Sequence, residues 1–219
     1  DHDFDAELAL DKDGTFLAVR LVGYANLGGY LSNVGAAMGA LGVTRNLAAI
    51  YRTPLISVST KVCFTHTSPI GAYRGAGRPE ANYFMERLID TAAREMGIDQ
   101  VEMRKRNHIK PEEMPYKTAT GYTYDAADCP RLFETALGEA DIAGFETRRT
   151  ASEAEGRRRG LGLSCHLHGT GGIADEHVVV RVEPDRLVAS LGTQSQGQGH
   201  ETVFKQLVCD RLGLNPGEV

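Results

Sequence analysis

The stretch Gly71-Ala72-Tyr73-Arg74-Gly75-Ala76-Gly77-Arg78-Pro79-Glu80 constrains this chain more than any other. Its three glycines allow positive φ and close backbone approach, so it reads as a loop. Pro79 suits a first helical turn, where its missing N–H would be unpaired anyway. From there Ala81, Phe84, Met85, Leu88, Ile89, Ala92 and Met96 recur with the period of a helix, and Gly97 stands where a helix ends. A loop that brings bare backbone close to a ligand therefore opens a helix whose apolar stripe must be buried.

The flanking sequence supplies partners for that stripe. Residues 4–10 and 15–24 alternate apolar and polar around Asp13-Gly14, which predicts a β-hairpin. Residues 26–42, rich in glycine and alanine, read as a loop followed by a loose helix. The β-branched run at 55–64 predicts a strand. Asp99, with Glu102 three residues on, predicts a capped helix to about Asn107. Asp128 predicts another, with Pro130 in its first turn and Leu132, Phe133, Ala136 and Leu137 as its buried face. Residues 146–160 are charged and poor in apolar side chains, as a linker would be. Beyond them strands are predicted at 161–167, 177–182 and 187–191, then a helix at 201–212 with Gly213 behind it.

A second glycine-rich loop, Gln196-Gly197-Gln198-Gly199-His200-Glu201-Thr202, opens that last helix. First-turn N–H groups lack intrahelical partners and carry partial positive charge, so phosphate binds well there. Gln198 can donate to and accept from the edge of a pterin or base. His200 can donate to a phosphate or cap the helix. The alternative is a strand-to-helix turn that binds nothing. A dinucleotide fingerprint would need a glycine where Thr202 stands, and a P-loop would need Gly-Lys-Ser/Thr; neither is present. In the first loop Arg74 and Arg78 can clamp an anion. The plainer reading pairs one of them with Glu80 or Glu86.

With 219 residues, one large or two small domains are expected. A net charge of −5, with both signs mixed, argues against a nucleic-acid surface. The run at 157–159 beside Arg148-Arg149 is the solvated face of a linker. The four cysteines form no C-x-x-C pair, so they read as reduced thiols in a cytoplasmic protein. Cys165 and Cys209 read as core residues. His166 and His168 share one face of the predicted strand, with no third metal ligand suggested. No apolar run approaches a membrane span. The chain begins at Asp1 without a methionine and stops after a helix, which reads as a piece of a longer protein.

Several long motifs stand in one order: GAYRGAGRPEANYFMERLIDTAAREMGID, RKRNHI at 104–109, MPYKTATGYTYDAAD at 114–128, GRRRGLGLSCHLHGTGG and GTQSQGQGHET. Together they resemble the molybdenum-binding large subunit of the xanthine dehydrogenase, aldehyde oxidase and aerobic carbon monoxide dehydrogenase family. The resemblance implies an α+β fold of molybdenum-cofactor-binding domains, with mixed sheets flanked by helices in two lobes. A first domain at 1–147, a linker at 148–159 and the start of a second domain at 160–219 are expected. It also implies molybdopterin cytosine dinucleotide carrying molybdenum, with 2Fe–2S clusters and FAD on partner subunits. An iron–sulfur subunit and an FAD subunit, in a dimer of heterotrimers, are the expected partners.

Carried over by position, Ala72, Tyr73, Arg74, Gly75 and Ala76 would lie beside the metal. Gly169 and Gly171 would approach the cofactor, and Gln196, Gly197, Gln198, Gly199 and His200 would hold its pterin and pyrophosphate. The implied reaction is hydroxylation of an electron-poor carbon by water. The resemblance places the general-base glutamate beyond Val219 and a first glycine loop before Asp1, so this piece is expected to be inactive alone. Two departures narrow the reading. The copper-binding cysteine of carbon monoxide dehydrogenases is Gly75 here, and the purine-stacking phenylalanine of xanthine oxidoreductases is Ala76. An aldehyde or another small carbonyl or N-heterocycle is the expected substrate. A non-catalytic scaffold derived from the family, or an unrelated nucleotide-phosphate enzyme, are the alternatives.

Overall fold

The computed structural model describes residues 2–168, 175–195 and 197–219, in two compact units that divide between His168 and Gly169. Helices and mixed sheets make the fold α+β. In the first unit β1 (His2–Leu10) and β2 (Phe16–Gly28) form the expected hairpin. Asp11 builds its turn, its carboxylate accepting from the amides of Asp13 at 2.9 Å and Thr15 at 2.8 Å.

Strand β3 (Leu55–Phe64) pairs parallel with β2, giving the order β1-β2-β3. Parallel neighbours need a long crossover. Residues 29–54 supply it, through α1 (Gly35–Ala37), a π-helical turn (Met38–Gly42) and α2 (Val43–Asn46). One sheet face packs on helices through Phe4, Val19, Leu21 and Val58; the other leaves Val22 and Tyr24 exposed.

The long helix α3 (Arg78–Met96) buries Ala81, Met85, Ile89 and Ala92 on the stripe read from the periodicity. Gly97, at φ 64°, ends it. Asp99 caps α4 (Gln100–Asn107), accepting from the amides of Val101 and Glu102 at 2.8 and 3.1 Å. Asp128 caps α5 (Cys129–Glu139) through the amide of Arg131. Between them lie two short paired strands, β4 (Tyr116–Lys117) and β5 (Thr123–Tyr124). Of the predicted α5 face, Phe133 is buried and Leu137 partly so, whereas Leu132 is 72% exposed. The helix touches the core along one edge, narrower than its apolar stripe.

Where the charge pattern places a linker, the chain forms α6 (Phe145–Ala154). Its charges pair locally, Arg149 with Glu146 at 2.5 Å and Arg148 with Asp141. The strand expected at 161–167 is an extended segment outside any ladder among the described residues. Its alternation is real: Leu163, Cys165 and Leu167 turn inward, and Ser164, His166 and His168 outward. Alternation reports which side is buried, and packing on helices satisfies that as well as a sheet does.

The core is tied together by one buried guanidinium. Glu86 and Asp90 stand one turn apart on α3, so both carboxylates face one point. Arg104 of α4, fully buried, donates to Glu86 at 2.9 and 2.7 Å and to Asp90 at 2.8 Å. It also donates to the carbonyls of Gln100 and Leu163, each at 3.1 Å. Tyr51 donates to the second Glu86 oxygen at 2.5 Å. Burial pushes the Glu86 carboxyl up from the usual range, while Arg104 and the Tyr51 hydroxyl pull it back. Asn107 locks α4 to the hairpin, accepting from the amide of Phe16 at 2.8 Å and donating to the carbonyl of Gly14 at 2.9 Å. His108 stacks on Tyr51 and meets Phe133 edge-on. Neither of its ring nitrogens has a hydrogen-bond partner among the described residues. Burial, helped by the Arg104 charge, lowers its pKa to about 4.

The second unit holds the hairpin of β6 (Val178–Val182) and β7 (Leu187–Leu191), then α7 (His200–Leu212), ended by Gly213 at φ 69°. The Glu183 amide closes the hairpin turn on the Arg186 carbonyl at 2.8 Å. All five β6 residues are exposed within this unit, and of α7 only Cys209 is buried. Among the described residues no helix is long and apolar enough to cross a membrane.

Replacing Arg104 with Met should cost about 3–5 kcal/mol, because it strands the buried Glu86 carboxylate. A lowered urea midpoint would report this, and adding Glu86→Leu should recover much of the loss. Unfolded His108 titrates near 6.5 and folded His108 near about 4. Between those values the unfolded chain binds more protons, so stability falls as pH drops through that window. His108→Phe should remove that share, about 3 kcal/mol when complete, and flatten melting temperature against pH relative to wild type.

Candidate functional site

The first glycine loop lies in the first unit. The Ala76 amide donates to the Tyr73 carbonyl at 3.1 Å, and the Arg78 amide to that of Gly75 at 3.2 Å. Gly75, Ala76 and Gly77 all have positive φ, at 108°, 38° and 87°. For Ala76 that conformation costs about 1–2 kcal/mol, which surrounding contacts must offset. A Cβ at Gly75 would lie 2.9 Å from the Pro79 ring. Ala72, Tyr73 and Arg74 are exposed, Tyr73 at 88%.

Arg78 turns back on its own loop, donating a side-chain N–H to the Gly75 carbonyl at 3.2 Å. The pairing with Glu80 or Glu86 is not formed among the described residues: Arg104 and Tyr51 occupy the Glu86 carboxylate, and Glu80 faces His2 at 3.9 Å. The start of α3 is also a poorer anion site than the pattern implies. Its Arg78 amide is taken, Pro79 has none, and Glu80 adds a negative charge to the turn.

The second loop offers more. Gly197 and Gly199 have φ of 98° and 76°, and a Cβ built on either meets nothing within 4 Å among the described residues. Gly199 is the N-cap of α7 and, having no side chain, makes no cap hydrogen bond of its own. The amides of His200, Glu201 and Thr202 therefore lack an intrahelical acceptor. His200 packs its ring 5.1 Å from that of Phe204, and its buried Nδ1 has no partner among the described residues. Beside this turn a cavity of about 770 Å³ is lined by Arg181, Arg186, Ser195, His200, Glu201 and Lys205, among others. Open space, left-handed glycines and uncapped amides are what a phosphate-bearing ligand requires of a backbone cradle. Donor chemistry and free volume both fit such a group.

Within the first unit, Ala72 and Tyr73 lead into a turn at Arg74 to Gly77; within the second, a bend at Gly197 and Gln198 leads through Gly199 into α7 at His200. Gly169, Gly171 and Gln196 lie outside the described residues. His166 and His168 stand on the exposed side of their segment, and among the described residues no group of three His, Cys, Asp or Glu could hold a metal. Cys165 and Cys209 are buried. Burial, then the Glu86 charge, raises the Cys165 thiol to about 11, far from a reactive thiolate.

Family models for the molybdopterin cofactor-binding domain match residues 1–108 and 135–219. The gamma subunit of the 6-hydroxypseudooxynicotine dehydrogenase complex of Paenarthrobacter nicotinovorans is 30% identical over 97% of this chain, which covers 28% of that relative. The carbon monoxide dehydrogenase large chain of Hydrogenophaga pseudoflava is 29% identical over the whole chain, covering 29% of its length. The crystal structure of quinoline 2-oxidoreductase from Pseudomonas putida 86 superposes with a TM-score of 0.84 at 26% identity, over all of this chain and 30% of that one. The chain thus spans under a third of the length of the relatives it matches.

Gly77 and Gly97 separate crowding from backbone strain. A Cβ at Gly77 would lie 2.7 Å from the Gly42 backbone, whereas one at Gly97 meets nothing within 4 Å. Gly97→Ala should cost about 1–2 kcal/mol from its left-handed backbone, and Gly77→Ala about 2–5 kcal/mol from strain plus overpacking. Thermal unfolding of the two variants side by side checks the order.

Proposed function

The chain belongs to the molybdopterin cofactor-binding domain family, and on that premise we propose that it is the cofactor-holding part of a molybdenum hydroxylase large subunit. The observation that carries this reading is the uncapped α7 terminus, with two left-handed glycines before it and open space above them. There the His200, Glu201 and Thr202 amides would hold the pyrophosphate of molybdopterin cytosine dinucleotide, with Gln198 on the pterin edge. The turn at Ala72 to Ala76 would lie beside the metal, presenting backbone groups and a small side chain to the substrate. When bound, the cofactor supplies hydroxylation of an electron-poor carbon with water as oxygen source, its electrons leaving through iron–sulfur clusters and FAD on partner subunits.

The loop's own residues support a substrate class. Gly75 offers no thiol for a second metal, and its Cβ space is taken up by the Pro79 ring. Ala76 leaves room that a bulkier side chain would fill. We therefore favour an aldehyde or a small N-heterocycle, and the quinoline named in one structural neighbour is a flat heterocycle of that kind. Relatives named as a complex subunit and as a large chain support iron–sulfur and flavin partner subunits. Cytoplasmic assembly is in keeping with four free cysteines.

In the full-length complex, Gln198→Ala should lower molybdenum and released cytosine nucleotide about fivefold, as loss of a hydrogen bond of about 1 kcal/mol would. Gln100→Ala, on α4, should leave both at wild-type levels. Equal occupancy in the two variants, by metal analysis and nucleotide release, would remove the role assigned to the second loop.

A further inference from the structure

Glycine is a poor helix former, yet three glycines from the end of β2 to the start of α2 meet one segment. A Cβ at Gly28 would lie 2.2 Å from the Ser68 carbonyl oxygen and 2.6 Å from the Pro69 Cα. One at Gly35 would lie 3.1 Å from the Ile70 carbonyl oxygen, and one at Gly42 would lie 2.8 Å from that of Ala76 and 3.1 Å from the Gly77 Cα. Spaced seven apart, Gly28, Gly35 and Gly42 thus touch successive points of residues 68–77. Hydrogen bonds fasten the same path: the Gly29 amide to the Thr67 carbonyl at 2.9 Å, the Ile70 amide to that of Leu27 at 3.1 Å, and the Ser32 hydroxyl to that of Ile70 at 2.5 Å.

The contact at Gly42 is reciprocal. A Cβ on Gly77 would lie 2.7 Å from the Gly42 Cα and carbonyl carbon and 2.8 Å from the Met38 carbonyl oxygen. Two backbones therefore touch with no side chain between them, where Ala76 holds its left-handed conformation. Strained residues persist only where their surroundings over-determine them. Gly42 closes the π-helical turn Met38–Gly42, a rare geometry that recurs at functional sites. On its other side Gly39 packs against β2, its Cβ position 2.7 Å from that of Ala25. The turn thus spaces the loop from the sheet through two glycines, Gly42 on the loop side and Gly39 on the sheet side.

We propose that Gly42 is a positioning residue for the site: by direct backbone contact it sets where Ala76 and Gly77 stand, and so the space left for substrate beside the metal. This rests on the reading that Ala72 to Ala76 face the cofactor. Gly39→Ala is the control, since it crowds the same helical turn on the sheet side.

The test uses the full-length complex of each variant. Hydrogen exchange at the Ala76 and Arg78 amides reads the loop without reference to the cofactor. The Mo(V) paramagnetic resonance signal after partial reduction reads the metal's surroundings. Thermal midpoints should fall alike in Gly42→Ala and Gly39→Ala. Exchange at Ala76 and Arg78 should rise tenfold or more, and the Mo(V) signal should change, in Gly42→Ala alone. The same exchange in both variants overturns the positioning role. Raised exchange in Gly42→Ala with a wild-type Mo(V) signal also overturns it, and traces the failure to the placement of the loop beside the metal rather than to the contact. If Gly42→Ala does not accumulate, Gly35→Ala takes its place, because its nearest clash, at 2.9 Å, is with the movable Ser32 hydroxyl. Its exchange is read at Ile70.

Discussion

The Arg104 guanidinium sits where four segments meet: α3 through Glu86 and Asp90, its own helix through the Gln100 carbonyl, the extended segment through the Leu163 carbonyl, and Tyr51 by way of Glu86. Its planar fork can satisfy several acceptors at once, which a lysine could not. The arrangement specifies geometry more than it adds stability, since a buried pair roughly repays its own desolvation. Its consequence is that α3 has one allowed register against α4 and against residues 50–52, which also pair with 107–109.

That register carries the first glycine loop. The loop is the N-terminal lead of α3, so its downstream end is set by the Arg104 network and its upstream path by contacts with the β2 end and the π-helical turn. Ala76, strained in backbone and small in side chain, is held between the two. A site built this way needs few polar side chains of its own. Rigid backbone, placed by packing at a distance, does the orienting.

The second glycine loop works on different terms. Gly197 and Gly199 have open space around them, and α7 begins without a side-chain cap. Here the glycines keep the approach to a helix terminus clear, whereas in the first unit they let two backbones touch. One residue type therefore performs opposite tasks, and only the neighbours distinguish them.

Much of this was legible in the chain itself. The hairpin, β3, the stripe, the Pro79 start and the Gly97 end of α3, the Asp99 and Asp128 caps, and α7 with its glycine end all follow from local periodicity and capping chemistry, which depend on residues within a turn or two. The extended segment at 161–168 showed its alternation but not its partner, because a two-residue period records burial without saying whether sheet or helix provides it. The α6 helix was hidden by its charges, which pair within the helix and its N-terminal turn instead of solvating a linker. The RKRNHI motif identified a family, yet nothing local revealed that Arg104, Asn107 and His108 are buried anchors. Sequence alone determined most of the elements and which loops carry glycine, since those are short-range properties. Only the tertiary structure decided which glycines clear space and which close it, because that depends on contacts between residues thirty or more positions apart.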